Sequence, residues 1–199
     1  MKKKEIKEYF TAIRNNDIEK VKTLVSNDKT YLIACNFAPP KKDDGQSGLQ
    51  VAFKTGKFDI AEFLIEQGID VSFIEKSDIN VWKAPVLHDC ITAVIFNCLA
   101  NQKDVEIFNK ALSLLKIMLK KGADPNALDS YGNTCLGRAI LDAKIMKNQY
   151  KCDIIGMEQI REVFKALIDA GADVNFSDGR RENAVDDYKT SGLQEYKLF

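Results

Sequence analysis

His88 is the one imidazole in a chain of 199 residues, so neither a histidine pair nor a His-rich zinc site can be assembled. A catalytic role for it would need a neighbouring nucleophile, and the spacing suggests none. The five cysteines are Cys35, Cys90, Cys98, Cys135 and Cys152. Their number is odd and no CxxC pair occurs, which argues against a disulfide framework or a thiolate metal site. Four of them lie in or beside apolar, helix-like segments and read as small buried hydrophobes. Asp70, Asp124 and Asp173 recur in register, which favours holding a turn over ligating a metal. The glycines form neither GxGxxG nor a P-loop. The expectation is a protein with no catalytic residue, no cofactor and no metal.

The charge balance points the same way. Lys plus Arg and Asp plus Glu are 29 each, for a formal net charge of zero. A general nucleic-acid binder normally carries a basic excess. The runs Lys2-Lys3-Lys4 and Lys41-Lys42 read as solvated, and Asn101, Gln102, Lys103, Asp104, Lys144, Lys147, Lys151 and Asp153 are a mixed set, not a basic stripe. After Lys4, the charged Glu5, Lys7 and Glu8 stand where a signal peptide needs its apolar run. No uninterrupted apolar stretch of about 18 residues exists for a membrane span. A cytoplasmic monomer is expected, with no nucleic-acid or membrane partner; delivery to a host cell as an effector stays open.

The elements behind these residues repeat. Phe63–Val71, Ile117–Asn126 and Ala166–Asn175 each read as an amphipathic helix ending at a glycine, followed by an Asp/Asn-rich turn. Gly68, Gly122 and Gly171 sit where a helix often ends in a left-handed residue, which glycine adopts without a Cβ to oppose it. A second pattern opens the units. Ser47-Gly48-Leu49-Gln50-Val51-Ala52 and Thr134-Cys135-Leu136-Gly137-Arg138-Ala139 each offer a hydroxyl cap, then a Leu and a small Ala on one face.

These residues resemble the ankyrin repeat, with its D-x-x-G-x-T-P-L-H-x-A opening and G-A-D-V-N close. Asp129 to Ala139 follows the opening, with Cys for Pro and Gly for His. Gly171 to Asn175 matches the close completely. Ala12 to Val25 looks like a first repeat without its finger. The resemblance implies an all-α solenoid of stacked helix-turn-helix units over 1–199. The approximate repeats are 5–28, 44–71, 80–126 and 129–175, followed by a C-terminal cap at 178–199.

The period departs from the usual length of about 33 residues. Gly68 and Gly122 are 54 residues apart, and Gly122 and Gly171 are 49 apart. The third and fourth units therefore have lengthened helices, with the inserts at the turns between paired helices. The apolar run Ile91 to Ala100 should extend the third unit's first helix, and Val105 to Lys120 should form its second. The fourth unit should run through Ile145-Met146, loop from Asn148 to Gly156, and form its second helix from Met157 to Ala170. Two lengthened pairs should pack side by side, with Val94, Ile95, Leu99, Ile140, Leu141 and Ile145 as added core or as part of a second surface. Tyr31 to Asp44 should pack little. Arg181 replaces the finger glycine of the last unit, whose finger should differ.

The resemblance implies a protein-binding module that uses a concave surface of fingers and first helices. Trp82, Tyr131, Asn133, Phe73, Phe176 and Arg180 fall at exposed finger positions and are the candidate partner-binding residues. Aromatics and Arg are favoured there because they bury much area at little rotamer cost. His88, at the motif's histidine position, is implied to hydrogen-bond backbone between fingers, and Asp129, which opens the motif, is read as structural. The lysine- and asparagine-rich composition looks like that of bacterial single-domain ankyrin proteins. Some of these neutralise a cognate toxin and others act as effectors on a host protein.

Overall fold

The computed structural model describes residues 2–37, 39–98, 104–150 and 153–199. Leu99, Asn101, Gln102, Lys103, Lys151 and Cys152 lie outside the described residues. Within them the chain is helical: α1 (Lys3–Arg14), α2 (Ile18–Asn27), α3 (Gly48–Lys54), α4 (Phe58–Glu66), α5 (Val86–Ile95), α6 (Val105–Lys120), α7 (Cys135–Tyr150), α8 (Ile154–Asp169) and α9 (Ala184–Thr190). Extended pairing there amounts to the isolated antiparallel bridges Cys35–Ser47 and Ile74–Pro85, at the bases of two fingers.

The helices stack in two rows. α1, α3, α5, α7 and α9 each contact the next along one row, and α2, α4, α6 and α8 along the other. One continuous core runs between the rows, from Tyr9, Phe10 and Ile13 through Leu49, Leu64, Leu87, Ile91 and Leu115 to Phe164 and Leu167. Apolar residues on one face of each helix make this possible, since neighbouring units must cover what a single pair leaves open. α5 touches α3, α6, α7 and α8 and is the hub of the stack.

Local chemistry sets the helix starts. Ser47 Oγ accepts the Gln50 N–H at 3.3 Å, and Gln50 Oε1 accepts the Ser47 N–H at 3.2 Å, a reciprocal capping box. Thr134 Oγ1 accepts the Gly137 N–H at 3.0 Å and caps α7. Gly68, Gly122 and Gly171 follow α4, α6 and α8 with φ of +85°, +96° and +97°. Beyond each, the Asp two residues on accepts the N–H of the residue two further along: Asp70 from Ser72, Asp124 from Asn126, Asp173 from Asn175. Ser72 and Asn126 then donate to the carbonyls of Gly122 and Gly171 in the following unit. One turn design thus also ties unit to unit.

Several expectations need correction. α5 stops at Ile95, short of the run to Ala100, with Phe96 as its C-cap. α7 continues to Tyr150 because Lys147 to Tyr150 contains no breaker, and α8 begins at Ile154. Asp153 Oδ1 accepts the Gly156 N–H at 2.8 Å, placing Gly156 in the first turn of α8 and not in a loop. The stretch Tyr31–Asp44 packs in part: Tyr31, its ring centroid 5.1 Å from that of Tyr9, and Ala34, Asn36 and Asp43 are buried, whereas Ile33, Phe37 and Pro39 to Lys42 are exposed. In the last finger the left-handed residue is Gly179, at φ +87°, two positions before Arg181. Val94, Ile95 and Ile140 are core, while Leu141 and Ile145 are half-buried.

Candidate functional site on the finger face

Finger hydrogen bonds fix the frame. Asn36 N–H donates to Gln46 O at 2.8 Å, Glu75 N–H to Ala84 O at 3.0 Å, and Asp129 N–H to Asn133 O at 3.1 Å. Adjacent fingers touch closely. A Cβ built on Gly45, whose φ is +73°, would lie 2.1 Å from the backbone nitrogen of Ser77 in the next finger. Only glycine allows both that φ and that approach.

Asp129 organises the third finger. One carboxylate oxygen accepts the N–H groups of Tyr131 and Asn133, each at 2.9 Å. The other accepts Trp82 Nε1–H and Asn133 Nδ2–H, both at 2.8 Å. These hydrogen bonds favour the ionised form and leave the carboxyl below its ordinary pKa, although burial opposes them. Trp82 thereby bridges two fingers and is half-buried, with the Lys54 ammonium 5.9 Å from its ring centroid. Tyr131 is 45% exposed at the finger tip. Arg180 donates to the Ser130 carbonyl at 2.7 Å and to Asp178 Oδ2 at 2.6 Å, so its guanidinium is committed within the protein.

Of the six candidate residues, Trp82, Tyr131, Asn133 and Arg180 therefore gather around the third finger. Phe73 corrects the expectation of exposure: it is 9% exposed, beneath the Lys76 ammonium at 5.2 Å. Its position opposite Val86, whose N–H donates to the Phe73 carbonyl, turns the ring into the core. Phe176 stands apart from the cluster and is partly exposed. Ile79 and Val81, 58% and 77% exposed at the second finger, belong to this face and escaped the sequence reading. The available signal was two β-branched residues alternating with polar Asn80, just before Trp82, in a finger longer than the repeat needs.

Beneath the fingers lies a polar ladder between units. Gln50 Nε2–H donates to Asp89 Oδ2 at 2.8 Å, from α3 to α5. Thr92 Oγ1–H donates to Asp142 Oδ2 at 2.7 Å, from α5 to α7, and Arg138 pairs with the same carboxylate. Burial raises the Asp89 carboxyl pKa to about 6 and that of Asp142 above its ordinary value. His88 is fully buried; its Nε2 lies 3.2 Å from the Ala127 carbonyl, which makes that nitrogen the protonated one, and Nδ1 has no partner. Burial lowers its pKa to about 4. The Cys90 and Cys135 thiols are buried and pushed up, hence unreactive. Among the described residues, no group of three or more His, Cys, Asp or Glu could hold a metal ion. None of their helices is long and apolar enough to cross a membrane.

A second apolar patch marks the far edge of the stack, where Val105, Ile107, Ile154 and Ile155 are 40–69% exposed at the starts of α6 and α8.

Comparison with known proteins agrees with this architecture. The chain is 26% identical over 162 residues to a fowlpox virus (strain NVSL) protein described as an ankyrin repeat protein. The match covers 74% of this chain and 43% of the relative, so the chain spans less than half the length of the curated protein it matches. No protein-family profile matches the chain. The fold is an all-helical solenoid of ankyrin type.

Proposed function

We propose that this chain is a protein-interaction module whose binding surface is the concave face made by its fingers and first helices, with no catalytic role. The observation that carries this is the composition of the second and third fingers. Ile79 and Val81 are largely in solvent and Tyr131 is half in solvent, on backbone held by hydrogen bonds: Ile79 N–H donates to Ser77 Oγ and Tyr131 N–H to Asp129 within their fingers, and Val81 O accepts Ser130 Oγ–H across fingers. Exposed apolar side chains on a rigid frame favour association, because little conformational entropy is lost when they are covered. Trp82 and Asn133 serve the frame through Asp129 and present their remaining surface beside it. Phe176 extends the face toward the last finger, while Arg180 supports it by holding the third finger to the cap.

The test is capture of a partner from the native cell extract, followed by repetition with Tyr131→Ala and Trp82→Ala. Circular dichroism and the unfolding midpoint report on the fold. At least a tenfold loss of affinity in folded Tyr131→Ala supports the reading, and unchanged affinity in both folded variants removes it.

A further inference from the structure

The finger face carries charge as well as apolar surface, and the two signs are distributed unequally. Three cation–carboxylate pairs run along it: Arg14–Asp43, Lys54–Asp89 and Arg138–Asp142. In each pair the carboxylate is hidden and the cation is the more exposed partner. Side-chain exposures are 20% against 4%, 28% against 5% and 18% against 2%. Glu75, buried at 3%, has both oxygens occupied, by Gln46 Nε2–H and Asn80 Nδ2–H. A ligand approaching any of these three pairs therefore meets the cation first, although the whole chain has zero net charge.

The pairs lead to a cleft of about 410 Å³ between the first two fingers and α3, bordered by Lys42, Lys54, Glu75, Ile79, Asn80, Val81 and Trp82. Lys54 Nζ is 3.9 Å from Asp89 Oδ1, too far for a hydrogen bond, and donates none elsewhere among the described residues. Lys42 is exposed and its ammonium has no acidic partner among them. Glu75 borders the cleft but is buried with both oxygens hydrogen-bonded, so its carboxylate lies behind the two ammonium groups, and the exposed Asp78 does not border it.

We infer that this cleft takes an acidic linear segment of a partner protein, with one aliphatic or aromatic side chain against Ile79, Val81 and Trp82 and carboxylates beside Lys42 and Lys54. The inference rests on the interaction reading above and adds the chemistry of the partner. Two ammonium groups with open donor positions select carboxylates, and the apolar wall selects a side chain that a purely acidic tract lacks.

The probe is a phage-displayed library of random dodecamer peptides selected on the full chain. Enriched peptides should carry at least two Asp or Glu flanking an aliphatic or aromatic residue. Trp82, the sole tryptophan, should change its emission when such a peptide binds. Lys42→Glu, at an exposed side chain that holds no partner, should keep the fold and weaken binding at least tenfold. Raising NaCl from about 0.05 to 0.5 M should also weaken it several-fold. An empty selection, enrichment of neutral or basic peptides, or affinity indifferent to Lys42→Glu overturns the inference. Equal, Lys42-dependent binding of a dT12 oligonucleotide overturns it in favour of a nucleic acid. A captured partner that needs Tyr131 but ignores Lys42→Glu keeps the interaction reading and removes only this one. Indifference to Tyr131→Ala and Trp82→Ala removes the reading itself.

Discussion

His88 and Asp89 are neighbours in sequence, both buried, and burial moves their proton affinities in opposite senses. Asp89, lifted from 3.8 to about 6, holds in the folded chain a proton that the unfolded chain releases above 3.8. Its contribution to stability therefore grows as pH falls from about 6 toward 4. His88, lowered from 6.5 to about 4, refuses in the folded chain a proton that the unfolded chain accepts. Its contribution is intact above 6.5 and is lost as pH falls toward 4. The two slopes oppose each other in the same window. Asp89→Asn should leave the His88 slope uncompensated: relative to the parent, unfolding free energy should drop by on the order of 2 kcal/mol between pH 6.5 and 4.5. Urea titrations at several pH values measure this, and parallel profiles for variant and parent would refute it. Glycine offers a second residue-scale contrast. At Gly68 a Cβ meets nothing within 4 Å, so alanine incurs only the left-handed backbone penalty, about 1 kcal/mol. At Gly45 the same change also drives a methyl into the Ser77 backbone, so Gly45→Ala should lower the thermal midpoint distinctly more than Gly68→Ala.

At the scale of elements, the lengthened helices depend on their own caps. Asp104 caps α6, accepting the Glu106 N–H at 2.8 Å, and Asp153 caps α8, accepting the Gly156 N–H at the same distance. Asp153→Ala should cost about 1 kcal/mol. The loss should appear as faster amide exchange in the first turn of α8 with little change in α7; a global rise in exchange would contradict a local cap. The finger elements depend on one another instead. Trp82, Lys83 and Ser130 join the second and third fingers, Lys83 N–H donating to Ser130 Oγ at 3.0 Å and Ser130 N–H to Lys83 O at 3.0 Å. Sequence patterning placed α6 correctly because its apolar period runs unbroken from Val105 to Lys120. It misplaced the start of α8 because Gly156 signals a break, whereas an aspartate three residues before it caps a helix through that glycine's own N–H. Phe73 was misread for a related reason. The side of a finger on which a ring lies is set by pairing with Val86, and pairing is not visible in one strand of sequence.

For the molecule as a whole, stability passes from unit to unit through the core and the polar ladder. Gln50 to Asp89 and Thr92 to Asp142 both involve α5, which also contacts both rows of helices. In a stack of this kind the ends open more easily than the middle, because each has a neighbour on one side only. Native-state hydrogen exchange should therefore be slowest in α5 and faster by about tenfold or more in α1 and α9. Equal protection along the chain would mean that the solenoid opens as one unit.

The repeating glycines, the turn aspartates, the capping hydroxyls and the apolar faces determined an all-helical stack. Each acts through neighbours a few residues away, so linear order suffices to read it. That no histidine pair or His-rich zinc site can form needed only a residue count. What crosses units was decided by the tertiary structure: the sharing of Asp129 among three residues, the burial of Phe73 and Tyr31, and the hiding of carboxylates under their cations. So was the cleft where Lys42 and Lys54 meet Ile79 and Val81. Trp82–Asp129, Arg14–Asp43 and Lys54–Asp89 join residues roughly 30 to 50 positions apart, and their geometry follows from how one unit lies on the next. A chain of zero net charge can thus turn its cations outward around this cleft, because burial is a property of the stack and not of composition.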